Sequence, residues 1–330
     1  MSKTYNWAIL GCGKIARKFS NDLKLLPNAR LYAAAARDYD KAAGFAAELG
    51  FDRAYGSYEE MVADPAVDVV YVATPHSHHH EHVLLCLNHG RAVLNEKAFA
   101  LTRQEAAEMA ETARRNGVFL MEAFWTRFQP SYKKVLEILG TGELGALKVV
   151  RSDFAFNAPK DPSNRLYNVE LGGGSLLDIG IYPVYAALST LGKPEKIKAL
   201  ASFAASGSEE SIAMVFQYPG GELASLFSSF AAYSQVTTEF GCEKGTIRMA
   251  RRWMAPTSVT VWHPDNREEQ YSFEQSGNGY QFEAAHVMEC LDAGKTESDL
   301  LPLSFSLDLM ETLDRIRKEA GIIFPGRDNN

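Results

Sequence analysis

The first stretch able to do chemistry is a glycine turn, Gly11-Cys12-Gly13-Lys14-Ile15-Ala16. It follows the apolar run Trp7–Leu10 and opens a helical pattern. A G-x-G-x-x-A sequence between strand and helix brings backbone N–H groups and a helix N-terminus to one point, which suits a dinucleotide pyrophosphate. The second apolar run ends at Ala36, and Arg37 is the first polar residue beyond it, with Lys41 about one turn later. A basic residue there accommodates the 2′-phosphate of NADP, whereas an acidic one would take the ribose 2′-hydroxyl of NAD. Asp38 stands one position late and reads as a helix cap. Gly11–Ala16, Arg37 and Lys41 are therefore expected to hold NADP(H), with NAD(H) as the fallback.

The second such stretch is Pro75-His76-Ser77-His78-His79-His80-Glu81-His82, which holds five of the chain's eight histidines. Imidazole ligates metals, and His78 and His82 share a face if the segment is helical. Zinc needs three or four ligands, and no Cys or Asp cluster at metal spacing accompanies the run. The preceding strand ends at Ala73, so Thr74-Pro75 turns the chain at the carboxyl edge where open α/β sheets bind ligands.

These segments need elements to position them. Short apolar runs at Trp7–Leu10, Leu31–Ala36, Val67–Ala73, Arg91–Leu94 and Val118–Met121 alternate with helical patterns. The helices are expected over Lys14–Leu25, over Tyr39–Leu49 capped by Asp38, after the capping box at Ser57–Glu60, and from the box at Thr102–Glu105 to Gly117. Alternating βα units imply a parallel sheet covered on both faces. From Leu147 to Trp262, β-rich runs follow in quick succession, broken by one helix at Ser175–Leu191. This predicts a largely antiparallel sheet, and a last helix is expected over Ser304–Glu319. The fold class is thus α/β: an N-terminal Rossmann dinucleotide-binding domain (1–122) and a C-terminal α+β domain with a large, mainly antiparallel open sheet (123–330).

Composition narrows the function. The chain has 330 residues, a formal net charge of −7 and no basic run, which argues against a nucleic-acid partner. No apolar stretch is expected to span a bilayer. The N-terminus lacks signal-peptide order, and four scattered cysteines do not suggest a disulfide framework. The expected setting is the cytoplasm.

On these motifs the chain resembles the glucose–fructose oxidoreductase / inositol dehydrogenase family over nearly its whole length. Thr74-Pro75 with His76, His79 and Glu81 stands where members carry Thr-Pro-Asn-x-x-His-x-Glu. Glu96-Lys97-Ala98 stands at the Glu-Lys-Pro motif, so whether its often cis turn survives without proline is an open point. Gly172-Gly173-Gly174 through Asp178 to Tyr182 resembles the Gly-Gly-Gly…Asp-x-Gly-x-His segment. Tyrosine in place of that histidine, with "MEAFWTRFQP" (Met121 to Pro130), is most similar to the dimeric dihydrodiol dehydrogenase branch and its bacterial sugar dehydrogenase relatives.

The resemblance implies that Thr74, Pro75, His76, His79, Glu96 and Lys97 line the cofactor, with no metal at the histidine run. It also implies a homodimer through the open sheet of the second domain. Oxidising an alcohol requires one proton to be moved while the cofactor handles the hydride. Free lysine and tyrosine titrate near ~10.4 and ~10, and a neighbouring ammonium stabilises a phenolate. Tyr182 is expected as general acid/base, tuned by Lys97, with the reverse assignment open and Asp178 orienting Lys97 or a substrate hydroxyl. Trp125, Arg127, Phe154, Trp253 and Tyr280 are expected either to line a pocket for a ring-shaped substrate or to pack in the core. The expected activity is NAD(P)-dependent dehydrogenation of a sugar, polyol or trans-dihydrodiol. The alternatives are a carbonyl or dicarbonyl-sugar reductase and a catalytically silent NAD(P)-binding regulator.

Overall fold

The computed structural model describes residues 3–274 and 276–328. Its chain separates into two compact units, Met1–Trp125 with Gln275–Leu307 and Thr126–Glu274 with Asp308–Asn330.

The first unit begins as repeated βα units: β1 (Tyr5–Leu10), α1 (Lys14–Leu23), β2 (Ala29–Ala35), α2 (Tyr39–Leu49), β3 (Arg53–Tyr55), α3 (Tyr58–Ala63) and β4 (Val69–Val72). A 3₁₀ turn at His76–His78 leads into α4 (His79–Asn88), β5 (Ala92–Glu96), α5 (Arg103–Asn116) and β6 (Leu120–Ala123). The sheet order is β3-β2-β1-β4-β5-β6, and every pairing is parallel. This is the doubly wound arrangement of dinucleotide-binding domains, with its switch point between β1 and β4. β4, β5 and β6 are buried throughout, as strands covered on both faces must be.

The expected caps lie where the sequence places them. The Asp38 carboxylate accepts from the amides of Asp40 and Lys41, Ser57 Oγ from Glu60 N–H, and Thr102 Oγ1 from Glu105 N–H.

The expected single division after residue 122 assigns residues 275–307 to the second part. The compact units group them with the first instead, because Asp22 on α1 holds them there. Its buried carboxylate accepts the backbone N–H of Asn278 and of Tyr280 at 2.8 and 2.9 Å and the Asn278 side-chain amide at 3.0 Å. Tyr5 Oη also donates to Asp292 at 2.6 Å. Hydrogen bonds to a charged group contribute about 1.5–3 kcal/mol each.

The second unit contains α6 (Pro130–Thr141), β7 (Leu147–Ala155), a π turn at Leu176–Gly180 and α7 (Ile181–Leu191). The strands β8 (Lys196–Phe203), β9 (Glu209–Gln217), β10 (Leu223–Ser229), β11 (Thr238–Cys242), β12 (Gly245–Met249), β13 (Val259–Trp262) and β14 (Glu268–Tyr271) follow. The last helices in the chain are α8 (Gln281–Asp292) and α9 (Leu303–Ala320). The eight-stranded sheet runs β14-β13-β12-β11-β7-β10-β9-β8. Among the described residues of this sheet, only β7 and β10 pair in parallel. Alternating burial in β8 and β9 marks one covered and one open face. α7 lies on the covered face, buried from Ile181 to Leu188.

Contrary to the expectation of no membrane-length stretch, Val169–Leu191 is long and apolar enough to cross a bilayer, but 94% of its most apolar window is buried inside the fold. It is a core segment of the second unit. The sequence pattern missed α6 and α8; α8 buries Gln281, Glu283, His286 and Cys290 beside Ala284, Val287 and Met288, so polar residues interrupt its apolar side.

Candidate active site

Three turns gather at the carboxyl edge of the parallel sheet. The first is Gly11–Ala16. Gly11 has φ +102°, and a Cβ there would lie 2.9 Å from Thr74 Cγ2 and 3.1 Å from the Ala73 carbonyl. Glycine is therefore required by backbone conformation and by close approach to the β4 turn. Gly13 caps α1 without any side-chain hydrogen bond to the first turn. It leaves the amide end of α1 arranged for an anion, so the loop fits a dinucleotide pyrophosphate. The Cys12 thiol is buried, lies 3.5 Å from the Ala35 carbonyl oxygen and is pushed up to about 11 by burial, so it stays a protonated donor. Lys14, Arg37 and Lys41 are exposed, with Ile15 partly and Ala16 fully buried.

The second turn carries the histidines, which go to separate partners. His79 is fully buried; its Nδ1 lies 2.7 Å from the Ala98 carbonyl oxygen and its Nε2 lies 2.9 Å from that of Thr74. Two carbonyls would favour an imidazolium, but burial wins and pushes the ring down to about 4. The neutral ring donates to one carbonyl at a time and braces the β4 turn against the residue after Lys97. His82 is also buried. Its Nδ1 lies 3.0 Å from Thr74 Oγ1, its ring meets Tyr58 edge-on at 4.8 Å, and burial pushes it down to about 4. His80 pairs with Glu108 at 2.9 Å, and His76 packs edge-on against His79.

The third turn is Glu96-Lys97-Ala98. The Lys97–Ala98 peptide is cis, so the turn persists with alanine in place of proline. Lys97 is half-buried. Beneath it lies a set of buried acids that the sequence reading missed. Tyr71 Oη donates to Glu96, while Glu122 on β6 and Glu283 on α8 are wholly buried. Neither Glu122 oxygen has a hydrogen-bond partner of good geometry, though the Ser306 hydroxyl and the Phe99 N–H lie close enough to favour its charge. Burial nevertheless pushes Glu122 up to about 7, with Glu96 raising it further and Lys97 opposing. Burial and the nearby Glu96 and Asp22 push Glu283 far above the carboxylate range. An acid inside the apolar run "LMEAFW" was the available signal for Glu122.

The second unit holds the other candidates. Gly174 has φ +133°, and a Cβ there would lie 2.2 Å from Glu209 Oε2. The Glu209 carboxylate accepts the Leu176 N–H at 2.6 Å and is pushed up to about 7 by burial. This close contact explains one member of the triple glycine. Asp178 and Tyr182 do not share one regular α-helix as expected. The π turn at Leu176–Gly180 carries Asp178, and α7 starts only at Ile181. Asp178 is buried and ion-paired to Arg165 Nη1 at 3.0 Å. The Tyr182 ring packs against Phe154 at 5.8 Å and edge-on to Trp253 at 6.5 Å.

The aromatic candidates divide. Trp253 has no exposed surface and donates Nε1–H to the Asp153 carbonyl at 3.3 Å, a core position behind Tyr182. Phe154 and Arg127 are half-buried. Trp125 and Tyr280, in the first unit, stack at 4.4 Å and 11°.

Glu122 makes stability depend on pH. Its folded pKa lies above the ordinary value, so the native state holds a proton that the unfolded chain releases. Stability is therefore lost as pH rises from about 4.5 to 7, and Glu209 acts in the same window. Glu122→Gln removes its share of that loss. Urea unfolding should show the variant gaining about 2 kcal/mol more over the parent at pH 8 than at pH 5; a pH-independent difference would contradict the buried-acid assignment.

Similarity to known proteins agrees with this geometry. Residues 5–124 match the model of the oxidoreductase family with an NAD-binding Rossmann fold, and residues 132–248 match the GFO/IDH/MocA C-terminal domain. The chain is 39% identical to the mouse (Mus musculus) trans-1,2-dihydrobenzene-1,2-diol dehydrogenase, over 97% of this chain and 98% of that protein. It is 37% identical to the human enzyme of the same name, with the same coverage. A 3-ketoreductase from Actinomadura kijaniata, solved with NADP and TDP-benzene, matches with a TM-score of 0.87 and 25% identity, covering 96% of this chain and 98% of that one. An aldose–aldose oxidoreductase from Caulobacter crescentus shares the fold with a TM-score of 0.88 at 24% identity, covering 97% and 98% of the two chains. With both halves matched and close relatives spanning its length, the chain belongs to the GFO/IDH/MocA family of NAD(P)-dependent oxidoreductases.

Proposed function

We propose that this oxidoreductase uses NADP(H) to interconvert an alcohol and a carbonyl in a sugar, polyol or trans-dihydrodiol. One observation carries the reading. The dinucleotide turn after β1, the Thr74-Pro75 turn after β4 and Lys97 after β5 share the carboxyl edge of one sheet. A cofactor and a proton-handling amine are thereby offered to the same substrate carbon.

NADP rather than NAD is supported by Arg37, exposed at the end of β2. Asp38, the nearest acid, spends its carboxylate on capping α2. When bound, the nicotinamide supplies or accepts the hydride. The chain then has to manage one proton at the substrate oxygen. Tyr182 takes the general acid/base role, and Lys97 hydrogen-bonds the oxygen and favours the phenolate. Asp178, held by Arg165, orients a substrate hydroxyl or the lysine. Phe154, Arg127 and the Trp125–Tyr280 stack offer faces to a ring, whereas Trp253 backs Tyr182. His76, His79, Glu96 and Pro75 shape the nicotinamide side.

The substrate class follows the names of the mammalian relatives. Reduction of a carbonyl is the second reading, favoured by the neighbouring 3-ketoreductase, because the same residues serve both directions. A silent regulator would be expected to have lost Lys97 or Asp178, and both are present. Four free cysteines suit a reducing cytoplasm.

Lys97→Met should lower turnover about a hundredfold or more while NADPH binding, followed by fluorescence, stays near parental. Near-normal turnover would overturn the role of Lys97. The open face of the eight-stranded sheet exposes Leu200, Val215 and Leu223 among polar residues, apolar side chains that a homodimer would cover. Light scattering should give a dimer mass, and a monomer at all concentrations would contradict it.

A further inference from the structure

A second cluster with ligand chemistry lies away from the sheet edge, on α8 and the segment leading to α9. His286 and Cys290 stand one turn apart on α8, and Asp299 comes from the following connection. Their ligand atoms all lie within 4.8 Å of one another. Cys290 Sγ is 3.4 Å and Asp299 Oδ1 is 3.8 Å from His286 Nε2. A tetrahedral zinc ion, with bonds of about 2.0 Å to nitrogen and oxygen and about 2.3 Å to sulfur, sets N···S near ~3.5 Å and N···O near ~3.3 Å. The N···S separation already matches that spacing, and the N···O separation is wider than it.

The hydrogen bonds also set the tautomer. Ser298 Oγ accepts the N–H groups of Leu300 and Leu301 at 3.1 and 2.9 Å, which occupies its lone pairs. Its own O–H is left to donate to His286 Nε2 at 2.7 Å. Nε2 is therefore the bare, ligating nitrogen, and the proton sits on Nδ1, which faces the Glu289 carboxylate at 3.7 Å. Lys295 engages Asp299 through Oδ2 at 3.1 Å, leaving Oδ1 toward the imidazole.

We propose that His286, Cys290 and Asp299 form a zinc site, distinct from the histidine run and from the hydride-transfer residues. His286 and Cys290 are buried and Asp299 is at the rim, so the ion enters from solvent. Binding displaces the thiol proton to water and turns the Ser298 hydroxyl off Nε2. Three protein ligands leave the fourth position to water, unlike a closed four-ligand structural site. The ion would clip α8 to the connection that enters α9.

The test uses the untagged full chain stripped of metal, with Co(II) as probe and Zn(II) as competitor. One Co(II) per chain should bind with a thiolate-to-cobalt charge-transfer band, and Zn(II) should abolish the band. Cys290→Ser should lose it, and Asp299→Asn, at an exposed position tolerant of change, should weaken binding roughly tenfold or more. His78→Gln should leave it intact. No band in the parent, an equal band in Cys290→Ser, unchanged affinity in Asp299→Asn, or a band lost in His78→Gln would each overturn the site.

Discussion

A parallel sheet buried on both faces gives polar chemistry few ways out, and the carboxyl ends of its strands are the principal one. β4, β5 and β6 have no exposed residue, so Thr74 and Lys97 emerge just beyond the ends of β4 and β5. Gly11 permits the first turn to press against Ala73 and Thr74, which brings the anion-binding end of α1 to the same edge. Cofactor loop and amine thus share one location because of sheet topology and the absence of a single Cβ.

That edge rests on an electrostatically costly floor. Glu122 and Glu283 lie fully inside the protein, and burial keeps each protonated more readily than an ordinary carboxylate. His79 has the opposite bias: burial keeps it neutral between two carbonyls. The raised acids cost stability as pH rises toward 7, and the depressed histidine costs stability as pH falls below its ordinary value of about 6.5. Native packing beneath the Lys97 turn must offset both.

Much of this was legible in the sequence wherever local chemistry decides local structure. Asp38, Ser57 and Thr102 announced three helices through their caps, and Gly11–Ala16 announced the dinucleotide turn. Long-range pairings were not legible. Nothing near Asp22 says that it will hold residues 278–280, so the return of 275–307 to the first unit was missed. α8 hid because its buried side mixes Glu283, His286 and Cys290 with Ala284, Val287 and Met288. The π turn at Leu176–Gly180 was read as ordinary helix because it runs directly into α7, and its starting point depends on Glu209, which lies 33 residues away from Leu176 along the chain.

The most direct test of the central claim is spectrophotometric reduction of NADP⁺ and NAD⁺ by the purified chain against aldoses, polyols and trans-cyclic diols. The expected result is NADPH formation with one of these classes and a marked preference for NADP⁺ over NAD⁺. No turnover with either cofactor, in protein that demonstrably binds NADPH, would contradict the assignment as an alcohol dehydrogenase of this substrate class.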